Sequence, residues 1–119
     1  MTFKFETLSV WQKAIDYADA MLDIAESLPR EYRYNIADQL IRAALSIPNN
    51  IAEGNGRRGV VESKNFYNIA KGSAYETVNV LVLLERRGLL GTEDYRRRYQ
   101  EAEELCRMLS GLMKGQSHE

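Results

Sequence analysis

Apolar residues recur at spacings of three and four along four stretches of the chain, which is the period of an α-helix buried on one side. The pattern predicts helices over residues 8–28, 33–55, 61–87 and 93–114. Because the connections between these helices are short, neighbouring helices are expected to run antiparallel. The predicted fold is therefore all-α, an up-down-up-down antiparallel four-helix bundle in which residues 1–119 form a single domain.

Glycine, proline and threonine mark the predicted helix ends. Gly54 and Gly56 close the second helix, and Gly88 closes the third, where glycine readily adopts the left-handed conformation of a helix stop. Thr92 is the expected N-cap of the fourth helix. Pro48 lies inside the second helix and is expected to kink it modestly, because proline lacks a backbone N–H.

Composition and cysteine usage narrow the class of protein. The chain has 119 residues, of which 45% are apolar and 28% charged, as is typical of a globular domain. The single cysteine, Cys106, cannot form an internal disulfide and fits a reducing compartment. No apolar run approaches the roughly 20 residues that span a bilayer, and the N-terminus lacks a signal-peptide pattern. We therefore expect a cytoplasmic location and no membrane partner.

Charge is spread evenly along the chain. Residues 1–60 contain seven Lys or Arg and eight Asp or Glu, and residues 61–119 contain nine of each sign, for a net charge of −1. Neither half forms a basic arm. This weakens a nucleic-acid hypothesis, because phosphate binding relies on clustered Lys and Arg.

The second helix carries an unusual polar stripe opposite its apolar face. At 100° per residue its members share about a third of the helix circumference. They are Gln39, Arg42, Ser46, Asn49, Asn50, Glu53 and Arg57. An ordinary solvated face would be mostly Glu and Lys, whereas this one mixes amides, hydroxyls and single charges. Two interpretations stay open: a solvent-exposed or half-buried face with satisfied hydrogen bonds, or a surface that meets a partner helix or another subunit.

The short loop after the second helix indicates which residues of the third helix lie opposite this stripe. In an antiparallel hairpin about the 56–59 loop, facing residue numbers sum to about 117. This register brings Arg42 near Glu76, Ser46 near Gly72, and Glu53 near Lys64. We predict a partly buried salt bridge between Arg42 and Glu76. Gly72 and Ser73 would let the two helices approach closely, and a locally weak point in the third helix is the alternative explanation of these residues.

Two basic segments are candidate nucleic-acid contacts. The 54–59 loop combines glycines with arginines, but it lacks the Gly-Lys-Ser/Thr ending of a phosphate loop, and a plain interhelical turn is favoured. The 96–98 cluster precedes three glutamates at pairing distance along the helix, which favours a solvated face. The candidate contacts, which an oligomer could gather into a basic ring, are Arg57, Arg58, Lys64, Arg96, Arg97 and Arg98.

Catalytic and metal-binding patterns are not found in the sequence. The only histidine is His118, near the C-terminus, and neither a Glu-x-x-His nor a Cys-x-x-Cys pair occurs. A Cys–His dyad is disfavoured because Cys106 falls on an apolar helical face. We predict no enzymatic activity, no cofactor, no metal and no small-molecule substrate.

Two stretches carry a family resemblance. Residues 39–57 (QLIRAALSIPNNIAEGNGR) and residues 66–76 (FYNIAKGSAYE) resemble the two signatures of a bacterial four-helix-bundle family first noted in intervening sequences of large-subunit ribosomal RNA genes. The opening LSVWQ at 8–12 and the late LSGL at 109–112 also fit. The residues that match the family pattern are Arg42, Ser46, Pro48, Asn50, Glu53, Gly54, Gly72, Ser73 and Glu76.

The resemblance implies an assembly and suggests partners. Members of the family resemble one another as bundles that form ring-shaped homopentamers. A related branch, the accessory variability determinant of diversity-generating retroelements, binds nucleic acid and a reverse transcriptase, and it is strongly basic where this chain is near neutral. The leading hypothesis is therefore a homo-oligomeric interaction or scaffold protein, and the alternative is an accessory protein that binds RNA or DNA.

Overall fold

The computed structural model of the protein describes residues 2–116 and shows an all-α bundle. Its helices are α1 (Ser9–Ser27), α2 (Ile36–Asn55), α3 (Val60–Arg86) and α4 (Thr92–Gln116), with short 3-10 turns at Lys4–Thr7 and Arg30–Tyr32. Each helix packs on the next, and α1 also packs on α4, so the four helices close around one core. The predicted fold class is confirmed. None of the described helices is long and apolar enough to cross a membrane.

The largest difference from the predicted bounds is at the start of α2. This helix begins at Ile36, because the chain after Pro29 forms a 3-10 turn at Arg30–Tyr32 and then a turn over residues 33–35. Asn35 supplies the cap: its backbone is non-helical, and its side-chain oxygen accepts a hydrogen bond from the Ile36 N–H at 2.6 Å. Capping by asparagine satisfies a backbone donor that the first turn of a helix leaves unpaired.

Glycine ends only one of the two helices as predicted. Gly54 lies inside α2, and Gly56 follows that helix with a φ of −81°, so neither adopts the left-handed conformation. Gly88 does, with a φ of 71°. The Gly88 N–H donates to the Glu85 carbonyl at 3.0 Å and the Leu89 N–H to the Leu84 carbonyl at 2.9 Å, the paired bonds of a Schellman stop.

The predicted N-cap at Thr92 is wrong by one residue. The Gly91 carbonyl accepts the first helical bond of α4, from the Tyr95 N–H at 2.9 Å, and Thr92 is already helical. The Thr92 hydroxyl instead donates to the Glu85 carboxylate of α3 at 3.3 Å, which ties the two sides of this connection together.

The core is built from small residues alternating with large aliphatic side chains of all four helices. Among its fully buried members are Ala14, Met21, Leu40, Ile47, Ala70, Leu81 and Leu105. Burying one large aliphatic side chain stabilises a fold by about 1.5–3 kcal/mol, so these positions dominate the stability. Ile69, by contrast, is 51% exposed. It directly precedes buried Ala70, and one residue turns a helix by about 100°, which carries Ile69 out of the core.

One polar pair lies within the core, between α1 and α3. The Tyr17 hydroxyl and the Thr77 Oγ1 are 2.8 Å apart, and Thr77 is fully buried. Thr77 Oγ1 also donates to the Ala74 carbonyl at 2.6 Å, so its single proton is committed and Tyr17 is the donor to Thr77. Burial raises the pKa of Tyr17 to about 12, which keeps the phenol neutral.

Candidate functional site

The seam between α2 and α3 is tightly packed at Gly54. A Cβ atom added there would lie 2.7 Å from Tyr67 Cε1, closer than real Cβ contacts allow, and 3.1 Å from Phe66 Cβ, which is tighter than most such contacts. The Ser63 hydroxyl donates to the Gly54 carbonyl at 2.9 Å from the opposite helix. Tyr67 is buried, which raises its pKa, and its hydroxyl is hydrogen-bonded to the Asn55 side chain. Gly54 therefore serves the packing of α2 on α3.

A second contact across the seam is a chain of side-chain hydrogen bonds. Asn50 Nδ2 donates to the Ser46 carbonyl at 2.8 Å and to Ser46 Oγ at 2.9 Å. Ser73 Oγ, from α3, donates to the same Ser46 oxygen at 2.7 Å. Pro48 is buried, and α2 stays continuous through it from Ile36 to Asn55. Ser46 and Asn50 of the predicted polar stripe therefore form hydrogen bonds within the subunit.

The predicted salt bridge between Arg42 and Glu76 is wrong. Arg42 Nε pairs instead with Asp38 Oδ2 at 3.2 Å, one turn earlier on its own helix, and its side chain is 79% exposed. The predicted register is nearly right along the helix axes, because Ser46 contacts Ser73, the residue after the predicted Gly72. At 100° per residue, however, Arg42 is turned about 40° from Ser46, and Glu76 about 60° from Ser73. Both side chains therefore leave the seam towards solvent.

The predicted close approach at Gly72 is also wrong. Gly72 is exposed, and a Cβ atom added there would have nothing within 4 Å. Large apolar side chains are exposed around it on α3. We call this set, with Gly72, the outer α3 face: Val61 (75% exposed), Ile69 (51%), Gly72, Tyr75 (63%) and Leu83 (43%). Hydrophobic spacing alone does not distinguish this face, because Ile69 also fits the apolar pattern of α3.

The basic candidates do not form one patch on a subunit. Arg57, Arg58 and Lys64 surround the α2–α3 connection, whereas the 96–98 cluster lies on the first turns of α4. The α2–α3 connection and the start of α4 lie at opposite ends of the 27-residue α3, which is about 40 Å long at 1.5 Å per residue.

Carboxylates engage two of the arginines. Arg57 contacts Glu53 at 2.7 Å and Glu62 at 3.6 Å, and Arg98 contacts Glu101 at 2.8 Å. The Arg57 guanidinium also lies 4.7 Å from the centre of the Phe66 ring. The Glu101 contact agrees with the intrahelical pairing expected for the 96–98 cluster. In the part of the chain that the structure describes, Arg58, Arg96 and Arg97 are exposed and form no ion pair.

A groove of about 400 Å³ lies between α3 and α4. Tyr75 and Tyr99 line it, with Ala102 and Cys106. Burial raises the pKa of the Cys106 thiol, so it is protonated and a poor nucleophile at neutral pH. Residues 2–116 contain no group of three or more His, Cys, Asp or Glu side chains that could hold a metal ion. His118 lies outside the described residues.

Comparison with known proteins agrees with this architecture. The family model of the 23S rRNA-intervening sequence proteins matches residues 6–111. The chain belongs to this family. The chain also resembles the crystal structure, at 1.70 Å, of a protein of unknown function from the S23 ribosomal protein family of Bacteroides thetaiotaomicron VPI-5482. The two share 25% identity and a TM-score of 0.82 over 88% of this chain and 98% of the other. The search of curated proteins found no match.

Proposed function

We propose that this protein is a non-enzymatic, homo-oligomeric scaffold whose subunits meet through the outer α3 face. The observation that carries the proposal is Gly72, in the middle of a 27-residue helix. Glycine at such a position costs about 0.5–1 kcal/mol relative to alanine. Among residues 2–116, no neighbouring group lies within 4 Å of the position that a Cβ atom would take. A second backbone that approaches α3 closely at Gly72 would explain the residue.

The apolar residues around Gly72 form a strip with the geometry of a helix-docking surface. Val61, Gly72 and Leu83 are 11 residues apart, which is close to three turns, so they lie in line over about 33 Å. Ile69 and Tyr75 flank Gly72 at about 60° on either side. Four large apolar side chains are thus exposed on one side of α3, within about 120° of its circumference, and such a patch can mark an interaction site.

The family resemblance favours a homopentamer and an origin in a ribosomal RNA intervening sequence. The proposal that the protein is not an enzyme is supported by the positions of its perturbed groups. Tyr17 and Tyr67 are hydrogen-bonded in the core, and the Cys106 thiol is held in its neutral form. We propose a cytoplasmic location, which this free thiol fits.

Sedimentation velocity of three proteins tests the scaffold proposal. We expect the wild type to have a multiple of the 13.7 kDa subunit mass, five times for a pentamer. Gly72→Leu should move the mass towards that of a single subunit, because its side chain would hold the second backbone away. The matched control is Gly111→Leu, at another exposed helical glycine with open space around it, on α4. A monomeric wild type, or an unchanged mass for Gly72→Leu, would contradict the proposal.

A second candidate function is that of a nucleic-acid-binding accessory protein in an rRNA-associated or reverse-transcriptase system. The exposed arginines that form no ion pair within the described chain, Arg58, Arg96 and Arg97, favour it. An oligomer would multiply these charges around a ring, although one subunit is near neutral. Binding to RNA or DNA that weakens steeply with salt would support this function, and no binding at low salt would exclude it.

A further inference from the structure

A cleft at the end of the bundle combines aromatic rings with positive charge. It has a volume of about 560 Å³, within the range of ligand-binding sites. The 3-10 turn before α1 forms one wall, and the end of α2 with the following loop forms the other. We call it the end cleft, and the residues that matter here are Phe3, Lys4, Phe5, Asn55, Arg57 and Arg58.

An exposed phenylalanine is held in place in this cleft. Trp11 packs edge-on against Phe5, with the ring centres 5.0 Å apart. Phe3 stacks on Phe5 at 5.7 Å, with only 19° between the ring planes. Its backbone N–H donates to the Glu6 carboxylate at 2.8 Å. Phe3 is nevertheless 72% exposed, so its ring is positioned by its neighbours while much of its surface stays open to solvent.

Cations that are not neutralised lie beside this ring. Three basic side chains and no carboxylate line the end cleft. Arg57 forms ion pairs with Glu53 and Glu62, which do not line the cleft. Lys4 and Arg58 have no ion pair within residues 2–116, and both are exposed. The cleft therefore presents a positioned aromatic surface next to two available positive charges.

We propose that the end cleft binds single-stranded nucleic acid, with a base stacked on Phe3 and the neighbouring phosphates paired with Lys4 and Arg58. Aromatic stacking beside a positively charged groove is how proteins bind single strands without sequence preference, because every base has a π-face. This proposal rests on the second candidate function and names its site. It does not depend on the oligomeric state, since one subunit supplies the whole cleft.

Fluorescence anisotropy with a labelled 12-nucleotide oligouridylate tests the site in the full chain. We expect Phe3→Leu to weaken binding by about tenfold, because leucine keeps an apolar contact with Phe5 but offers no ring for stacking. Arg58→Gln should weaken binding and lower the slope of log affinity against log salt by about one. Two matched controls lie at the other end of the bundle: Tyr34→Leu, at an 87% exposed tyrosine, and Arg97→Gln.

Comparison with the control variants distinguishes failure of the end-cleft site from failure of nucleic-acid binding as a function. If Phe3→Leu and Arg58→Gln bind like the wild type while Arg97→Gln binds weakly, the protein binds nucleic acid elsewhere and the end-cleft proposal is overturned. No binding of the oligonucleotide at low salt would overturn both the site and the candidate function. A labelled poly-glutamate peptide of similar charge should bind much more weakly. Equal binding of that peptide would show that charge alone is recognised and would overturn the stacking proposal.

Discussion

Replacing Gly54 by alanine gives the sharpest test of how the α2–α3 seam is packed. The new methyl carbon would lie 2.7 Å from one ring carbon of Tyr67 and 3.0 Å from the next. Tyr67 cannot swing into solvent, because it is only 1% exposed and is hydrogen-bonded to Asn55. The helices must therefore separate, or the ring must leave its favoured rotamer.

The expected magnitude comes from two opposing effects. Overpacking a close-packed contact costs typically 1–3 kcal/mol, whereas alanine is about 0.5–1 kcal/mol better than glycine inside a helix. Any separation at this point also lengthens the 2.9 Å bond from Ser63 to the Gly54 carbonyl. We expect Gly54→Ala to lower the free energy of unfolding by about 1–2 kcal/mol.

Urea unfolding followed by circular dichroism at 222 nm measures this change, at several protein concentrations so that any assembly is accounted for. Gly111→Ala is the matched control, because its methyl group meets open space on α4. That substitution should raise the free energy of unfolding by about 0.5–1 kcal/mol. If Gly54→Ala is as stable as the wild type or more so, the close approach at Gly54 does not govern the seam.

Three further predictions concern the polar groups between helices. Thr77→Val should lower the free energy of unfolding by about 1–3 kcal/mol in urea, because it leaves the buried Tyr17 hydroxyl without its partner. Since the pKa of Tyr17 is raised from 10.0 to about 12 in the folded protein, its contribution to stability is intact below pH 10 and is lost as the pH rises to about 12. An alkaline titration should show this loss, and Tyr17→Phe should reduce it. Asn50→Ala and Ser73→Ala should each cost about 1 kcal/mol, and a double-mutant cycle should find them non-additive, because both donate to Ser46.

The helices could be predicted from the sequence because each one carries a periodic apolar face. Hydrophobic spacing determines which side of a helix is buried, and it located α1 to α4 without knowledge of their partners. It fails where a residue lies at the edge of the buried face. Ile69 is apolar and close to helical spacing, yet the rotation of one residue from Ala70 exposes it. The apolar pattern alone therefore does not separate the outer α3 face from the core.

The sequence predicts which turns of α2 and α3 lie side by side, but not which side chains point at each other. Loop length sets which turns of α2 and α3 lie side by side, and Ser63 does meet Gly54 as a sum of about 117 requires. The direction of each side chain depends on the rotation of both helices about their axes, which the sum does not contain. The Phe3–Phe5–Trp11 array was missed for another reason. It begins before the first periodic segment, where no spacing pattern exists to be recognised.

The residues that match the family signatures divide into two groups once their contacts are known. Ser46, Asn50 and Gly54 have contacts that folding alone explains. Gly72 and Glu76 do not, because both are exposed on α3, and the space beside Gly72 is empty. Arg42, on the neighbouring helix, is also turned to solvent. A glycine that weakens its own helix, beside charges directed away from the seam, is expected where a second molecule supplies the missing contacts. We propose that the second group, rather than the polar stripe as a whole, marks the surface where subunits of this protein meet.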